Sequence, residues 1–370
     1  MKIAVIGAGP GGLYAALAAA RQGMETHLFE KGQVGDGVIC GECIFDSLGI
    51  MKKPGKGLLH RVDDIVLQAE HTYRLAAGRH RNLWMMDRIL WQRDLAEQAV
   101  EAGVTLHEGI NIRAERYRAF TEDYDWIIDA SGAPSVTSRA FGFSGDYFRK
   151  FMMAYQVVVS GDFSVLLPAI KAVFLRDLPK EVMPGYYWVF PKDEGTANVG
   201  VGCSAREGHR FDVDLKTLLA GVLEREGLSG QAILKKGGGL IPARILPELV
   251  YGRVLLVGDA AGLTSPLHGG GIDLACLSGV LAVEAITNGR PGADLYRRRL
   301  IGYLREKSAM EGFVIAKMRT LRFEQWDTLL HAAAVPQNIL RAKAALQHTD
   351  LLLAAWKWLR KKGRNAPPSI

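Results

Sequence analysis

The chain has 370 residues, with 46 Lys and Arg against 39 Asp and Glu, which gives a formal net charge of +7. Hydrophobic residues make up 48% and charged residues 23%, a balance that excludes disordered and fibrous proteins. No apolar run reaches the ~20 residues of a membrane-spanning helix, and no secretory signal is recognisable. Four cysteines are too few for a disulfide framework. We therefore expect a soluble, cytoplasmic protein of two to three domain-sized units.

The first thirty residues have the pattern of strand, tight turn, helix and second strand. A short β-branched run at 3–6 predicts a buried parallel strand. An Ala- and Leu-rich helix follows and ends near Gly23, and residues 26–29 predict the second strand. The first turn of this helix would present unpaired N–H groups and the positive end of its dipole to a phosphate.

The turn itself reads G-x-G-x-x-G, with Gly7, Gly9 and Gly12. The first glycine allows the sharp turn, the second lets a pyrophosphate approach the backbone, and the third lets helix and strand pack closely. Glu30 ends the second strand, where a carboxylate can hold the ribose hydroxyls of an adenosine. Glu30, Lys31 and the three glycines are candidate cofactor-binding residues. This unit predicts binding of FAD or NAD in preference to NADP; the alternative is a structural glycine turn that binds nothing.

A late segment completes the pattern of a flavin site. Residues 253–259 predict a strand, and a glycine-rich loop then opens a helix. Together with the first turn, these segments resemble the FAD-dependent group typified by aromatic hydroxylases. The resemblance implies that Asp259 binds the ribityl hydroxyls and that the helix start faces the flavin pyrimidine edge. The candidate cofactor-binding residues here are Gly258, Asp259, Gly270, Gly271 and Ile272. The alternative is a capping Asp in a plain strand–turn–helix.

Two further segments fit the same site by resemblance. Residues 87–109 carry Arg88 at the start of a helix like the R-x-x-L-x-x-x-L helix of the group, which implies that Arg88 contacts FAD or shapes its pocket, unless it faces solvent. In the mid-chain segment 126–135, Ser131 replaces an Asp of the hydroxylases. Asp129 is a candidate cofactor-binding residue and is expected to anchor the loop. Because no second glycine-turn unit is visible, the electron donor is expected to be NAD(P)H without its own domain, or a reduced carrier protein.

Residues 185–202 narrow the family. Their pattern Y-x-W-x-F-P, followed by Gly200, closely resembles the motif of geranylgeranyl reductases, flavoenzymes that saturate isoprenoid double bonds. The family places a proline where this chain has Met183, and the proline here is Pro184. On a strand of period two, the aromatic side chains project from one face and would line an apolar slot for substrate. The alternative is a plain core strand. The candidate substrate-binding residues are Tyr186, Trp188 and Phe190.

The loop at 35–49 contains Cys40, Glu42 and Cys43. Reductases of this family carry a similar C-G-E stretch near the flavin, which implies that Cys40 and Glu42 are candidate catalytic groups. The alternatives are an inert packing loop, a dithiol redox centre or half a zinc site. Zinc requires about four ligands, and the other two cysteines are isolated in the sequence, so we predict no metal site.

The predicted fold class is α/β, with a Rossmann-like FAD-binding domain, an antiparallel-sheet substrate domain and a helical C-terminal region. The FAD-binding domain is expected to be discontinuous. The expected boundaries are 1–60, 80–145 and 245–300 for the FAD-binding domain, 61–79 and 146–244 for the substrate domain, and 301–370 for the C-terminal helices.

The last predicted helix, at about 338–364, is amphipathic and basic, with Trp356 and Trp358 among leucines and with lysines and arginines near its end. It predicts either peripheral association with the inner face of an anionic membrane or packing on its own domain. Nothing in the chain resembles a nucleic-acid recognition module, and we expect no nucleic-acid partner.

The resemblance implies an FAD-dependent oxidoreductase that reduces carbon–carbon double bonds of a hydrophobic, isoprenoid-like or lipid substrate by hydride transfer from flavin N5. The first alternative is an FAD-dependent monooxygenase or halogenase acting on an aromatic or peptidyl group. The second is a flavin-binding electron carrier without a substrate pocket.

Overall fold

The computed structural model describes residues 1–334 apart from 52, 78–81, 206, 208 and 210. The predicted basic helix at the C-terminal end lies outside the described residues. The strands are β1 (Lys2–Ile6), β2 (Glu25–Phe29), β3 (Cys43–Phe45), β4 (Leu58–Arg61), β5 (Asp64–Gln68), β6 (Thr72–Ala76), β7 (Leu83–Met86), β8 (Thr105–His107), β9 (Trp126–Asp129), β10 (Phe151–Ser160), β11 (Ile170–Phe174), β12 (Gly185–Pro191), β13 (Thr196–Ser204), β14 (Ile233–Pro242), β15 (Val250–Tyr251) and β16 (Val254–Leu256). The α-helices are α1 (Pro10–Arg21), α2 (Arg88–Glu101), α3 (Tyr117–Glu122), α4 (Val136–Phe141), α5 (Leu215–Arg225), α6 (Ile272–Thr287), α7 (Gly289–Thr320) and α8 (Phe323–Ala334).

Short apolar runs form a six-stranded sheet in the order β15-β16-β9-β1-β2-β8, with all pairs parallel except β15 with β16. The strands β1, β9 and β16 are almost entirely buried, as a parallel strand covered on both faces must be. β1 pairs with β2 on one side and with β9 on the other, so the strand order changes direction at β1. A crevice therefore opens at the carboxyl end of β1, where α/β sheets bind ligands.

The second sheet has seven strands in the order β14-β10-β13-β12-β11-β5-β6, and only the pair β11 with β5 is parallel. Alternate side chains of β10, β12 and β13 point to opposite faces of this sheet. One face packs under α5 in a separate core that includes Val157, Tyr187 and Val201. The other face is turned towards the crevice of the first sheet. A third sheet, β3-β7-β4, has three strands.

The helices α7 and α8 connect the two parts of the molecule. Arg319 on α7 donates from Nε to the carbonyl oxygen of Met183 at 2.9 Å, just before β12. The Asp327 carboxylate on α8 accepts a hydrogen bond from Tyr73 of β6 at 2.6 Å. The predicted α/β fold class is confirmed, with its Rossmann-like unit, antiparallel sheet and C-terminal helices. The domain boundaries stay a prediction. In the part of the chain that the structure describes, no helix is long and apolar enough to cross a membrane.

Close packing of α1 on α6 depends on Gly279. A Cβ added there would lie 2.3 Å from the carbonyl oxygen of Gly11, so any side chain forces the two helices apart. We expect Gly279→Val to lower the free energy of unfolding by about 3 kcal/mol, the upper end of overpacking costs. Urea unfolding followed by circular dichroism measures this. The control is Gly302→Ala on the exposed face of α7, where a Cβ meets nothing, and we expect it to stabilise by roughly 0.5–1 kcal/mol. Equal midpoints for Gly279→Val and the wild-type protein would contradict the packing.

Candidate active site

A cavity of about 520 Å³ lies between the carboxyl edge of the parallel sheet and one face of the seven-stranded sheet. The first sheet contributes the glycine turn after β1 and the turns after β9 and β16. The second contributes β10, β12, β13 and β14, and the loop before β3 closes one side. The cavity therefore brings together segments that lie far apart in the sequence, from Gly9 to Ala275.

The three glycines of the first turn have different reasons to be glycine. Gly7 has a φ of +98°, and a Cβ there would lie 2.5 Å from the carbonyl oxygen of Ala130. A Cβ at Gly12 would lie 1.9 Å from the Gly7 carbonyl oxygen, so the turn itself requires both. At Gly9, which lines the cavity, a Cβ would meet no atom within 4 Å. No side chain caps α1 there. The open space and the helix N-terminus fit a pyrophosphate.

Glu30 lies beside this turn. Its carboxylate accepts hydrogen bonds from the backbone N–H of Ala8 at 2.7 Å and of Lys31 at 2.9 Å. A carboxylate has about four acceptor positions, so capacity remains for ribose hydroxyls. Glu30 lies outside the cavity lining, and Lys31 is exposed. The structure thus places both residues next to the glycine turn, at the end away from the aromatic strand.

Asp259 and Arg88 both line the cavity. The Asp259 side chain is exposed to the cavity, but the surrounding protein desolvates it and raises its pKa to about 6, while the charge of Arg88 acts in the opposite direction. Among the described residues, the buried Nε of Arg88 has no hydrogen-bond partner. A guanidinium and a carboxylate that both line one cavity fit a polar ligand that both donates and accepts, as the ribityl and phosphate groups of FAD do.

The loop before α6 forms another part of the cavity lining. Gly270, Gly271 and Ile272 line it, and Gly271 caps α6 without any side-chain hydrogen bond. A Cβ at Gly271 would lie 2.7 Å from the Leu263 carbonyl oxygen, which explains the glycine. The positive end of the α6 dipole therefore faces the cavity and can stabilise negative charge there. Gly258, before Asp259, lines the cavity as well.

Asp129 has a different place. It is fully buried, and its carboxylate accepts hydrogen bonds from the N–H groups of Ser131 at 3.0 Å and Thr137 at 2.8 Å. It does not line the cavity. It holds the turn after β9, whose residues Ala130 and Gly132 do line the cavity.

The three aromatic residues of β12 share the cavity face. The ring centroids of Tyr186 and Trp188 lie 5.8 Å apart, and those of Trp188 and Phe190 lie 6.0 Å apart. Trp188 Nε1 donates to Asn198 Oδ1 at 2.8 Å, which satisfies the buried indole. A Cβ at Gly200 would lie 2.3 Å from the Trp188 ring, so the glycine makes room for it. The motif spacing therefore builds one aromatic wall.

The loop at 40–43 docks on this wall. The Cys40 carbonyl oxygen accepts hydrogen bonds from Gln156 Nε2 at 2.8 Å and Asn198 Nδ2 at 3.0 Å. Cys40 lines the cavity. Cys43 lines it too, and burial raises the pKa of the Cys43 thiol.

The structure brings Cys40 to the cavity but does not bring Glu42 there. Glu42 is buried at a φ of +62°, and its carboxylate forms an ion pair with Lys192 Nζ. It also accepts a hydrogen bond from the backbone N–H of Arg88 at 3.3 Å. Glu42 thus ties the loop to the end of β12 and to the start of α2.

His268 and the glycines of β14 line the cavity, and sequence reasoning missed both. Burial and the charge of Lys307 lower the pKa of His268 to about 3, so the imidazole is neutral near pH 7. Tyr186 donates its hydroxyl hydrogen to the His268 carbonyl oxygen at 2.8 Å, linking the aromatic wall to the loop before α6. The run of three glycines inside a predicted sheet was the available signal for β14.

Comparisons with known proteins agree with this geometry. Residues 175–241 match the geranylgeranyl reductase catalytic domain, and residues 2–108 match an FAD-binding domain. The chain is 30% identical over 337 residues to the digeranylgeranylglycerophospholipid reductase of Methanosphaerula palustris, covering 81% of this chain and 80% of that protein. It is 26% identical to the chloroplastic geranylgeranyl diphosphate reductase of Nicotiana tabacum, covering 78% of this chain and 66% of that protein.

Solved structures share the fold. A geranylgeranyl bacteriochlorophyll reductase-like protein from Thermoplasma acidophilum superposes with a TM-score of 0.74 at 22% identity, covering 95% of this chain and 98% of that chain. A flavin-dependent brominase superposes with a TM-score of 0.67 at 14% identity, covering 99% and 94%. At these identities the likeness concerns the fold alone.

Gly9→Val tests the pyrophosphate cradle. Since a Cβ at position 9 meets no protein atom within 4 Å, we expect the variant to fold as the wild-type protein does. Its isopropyl group would occupy the space of the ligand, and we expect FAD affinity to fall about 100-fold, the size of an overpacked contact. Titration of the apoprotein with FAD, followed by flavin fluorescence, measures this. Unchanged affinity would reject Gly9 as part of the cofactor site.

Asp259→Asn tests the desolvated carboxylate that faces the cavity. A folded-state pKa of about 6 exceeds the ~3.9 of an unfolded chain, so between those values the folded protein holds a proton that the unfolded chain has lost. This group therefore destabilises the apoprotein increasingly as the pH rises towards 6. We expect the variant to have a higher Tm than the wild-type apoprotein at pH 7, with a smaller gain at pH 4. A gain that does not depend on pH would contradict the shifted pKa.

Proposed function

We propose that this chain, which belongs to the geranylgeranyl reductase family of FAD-dependent oxidoreductases, reduces carbon–carbon double bonds in a hydrophobic, isoprenoid-like substrate. The observation that carries the proposal is the aromatic wall of β12, which faces the carboxyl edge of the parallel sheet across one cavity. A flat apolar wall suits an alkene or a prenyl chain. The relatives are named as reductases of geranylgeranyl compounds, which supports the same substrate class.

The residues in and beside the cavity have different roles in this proposal. Bound FAD supplies a hydride from N5 of its reduced ring. Gly9 and the start of α1 would hold the pyrophosphate, with Glu30 at the ribose. Asp259 and Arg88 would bind the polar chain between the two rings. The N-terminus of α6 would stabilise negative charge on the reduced ring, and the aromatic wall would orient the double bond and exclude water.

Cys40 is our candidate for the proton that completes the reduction. Its thiol is on a loop that lines the cavity, and the backbone N–H of Glu42 donates to its Sγ at 3.3 Å, which would stabilise sulfur after proton loss. Glu42 acts in this proposal as a positioning residue, because its carboxylate is engaged by Lys192 and by the start of α2.

The electron donor in this proposal is NAD(P)H or a reduced carrier protein. We place the reaction in the cytoplasm, with the protein at the inner face of the membrane. One set of relatives is named as reductases of a phospholipid, which supports that placement. The basic C-terminal sequence at 351–364 supports it as well.

The test uses holoenzyme reduced with dithionite under anaerobic conditions and incubated with geranylgeranyl diphosphate. We expect products heavier by two hydrogens for every double bond reduced, as seen by mass spectrometry. Gly9→Val protein serves as the flavin-free control and should give none. Recovery of unaltered substrate from flavin-loaded enzyme, or oxygenated or halogenated products after oxygen is admitted, would overturn the reductase assignment.

A further inference from the structure

One cross-strand row on the cavity face of the seven-stranded sheet has almost no side chains. Ala154 of β10 pairs with Gly202 of β13 on one side and with Gly239 of β14 on the other. Gly202 in turn pairs with Tyr186 of β12, and all four residues line the cavity. Between Tyr186 and the edge strand β14, the floor of the cavity is therefore backbone and a single methyl group.

The rows on either side carry side chains and form two walls. On one side, Trp188 and Gln156 belong to one cross-strand row that ends at Gly237. The Ile39 side chain covers Gly237, because a Cβ there would lie 2.7 Å from it. Trp188, Gln156 and Ile39 therefore form the first wall. On the other side, Met152 pairs with Ile241. The low row is thus a trough, which we name the Gly202–Ala154–Gly239 trough. It crosses three inter-strand spacings from Tyr186, roughly 14 Å, and ends at the free edge of β14.

The sheet requires a glycine at Gly238 of β14 but not at Gly239. A Cβ at Gly238 would lie 2.4 Å from the Ala154 carbonyl oxygen, so the sheet itself requires that glycine. At Gly239 a Cβ would meet no atom within 4 Å, and the backbone is not left-handed. Glycine weakens a strand relative to residues with side chains. Neither steric packing nor backbone conformation therefore requires a glycine at position 239. A ligand lying in the trough would require one.

We propose that the Gly202–Ala154–Gly239 trough takes the hydrocarbon tail of the substrate beyond the reacting double bond, and that Gly239 sets the chain length the enzyme accepts. This inference rests on the proposed function and adds a subsite to it. The floor offers no charged group, its walls are largely apolar, and its outer end is open at a sheet edge. A tail too long for the cavity can leave over β14, whereas a short chain ends before it.

The test compares two chain lengths in flavin-loaded protein. Gly239→Leu fills the outer end of the trough, and Gly239→Ala fills it in part. We expect Gly239→Leu to weaken binding of geranylgeranyl diphosphate by about tenfold or more, while binding of the half-length geranyl diphosphate changes less than about twofold. Calorimetry measures both affinities without turnover, and the reduction rates should follow the same order. Lys236 pairs with Val157 of the core on the other face of the sheet, so Lys236→Leu places a leucine away from the trough and should change neither.

The melting temperature and the flavin content show whether a loss of substrate affinity comes from the filled trough or from a damaged fold. Because position 239 is open and leucine suits a strand better than glycine, Gly239→Leu should melt no lower than the wild-type protein and keep its flavin. An unchanged ratio of the two affinities, or equal losses for both chains, would overturn the trough. Wild-type enzyme that binds both chains and reduces neither would contradict the proposed function, while the affinity ratio would still decide the trough.

Discussion

Close backbone packing at a few glycines is the constraint on which the rest of this structure depends. Gly12 against Gly7, and Gly279 against Gly11, leave no room for a side chain, so α1 is held tightly to both the first turn and α6. As a result, two uncapped helix N-termini open on one cavity, at the crevice beside β1. The positive potential that an anionic, flavin-containing cofactor needs is therefore a product of packing and requires few charged side chains.

The two large sheets divide the site between them. The parallel sheet contributes the glycine turn and the helix N-termini, and the antiparallel sheet contributes the aromatic wall of β12 beside a row of glycines and one alanine. The loop at 40–43 belongs to neither sheet, yet its position is fixed by hydrogen bonds from Gln156 and Asn198 and by the ion pair of Glu42 with Lys192. The proposed substrate contacts therefore lie on a sheet, which would hold a double bond in one orientation.

The sequence alone predicted what local periodicity and spacing encode: the glycine turn, the strand ending at Glu30, and the shared face of Tyr186, Trp188 and Phe190. It could not predict what depends on register between distant strands, namely the β3-β7-β4 sheet and the row that joins Ala154 to Gly239. Motif resemblance placed Glu42 among the reacting groups, but its partner Lys192 lies 150 residues away and is not visible in a local pattern. The roles of individual site residues stay proposals.

The central claim is that one FAD molecule spans from the first glycine turn to the aromatic wall. A crystal structure of the chain with FAD tests it most directly. The account predicts the adenosine ribose beside Glu30, the pyrophosphate at Gly9, the ribityl chain at Asp259 and the flavin ring in the cavity that Trp188 lines. A flavin ring found outside that cavity, or FAD bound away from the turn after β1, would contradict the account.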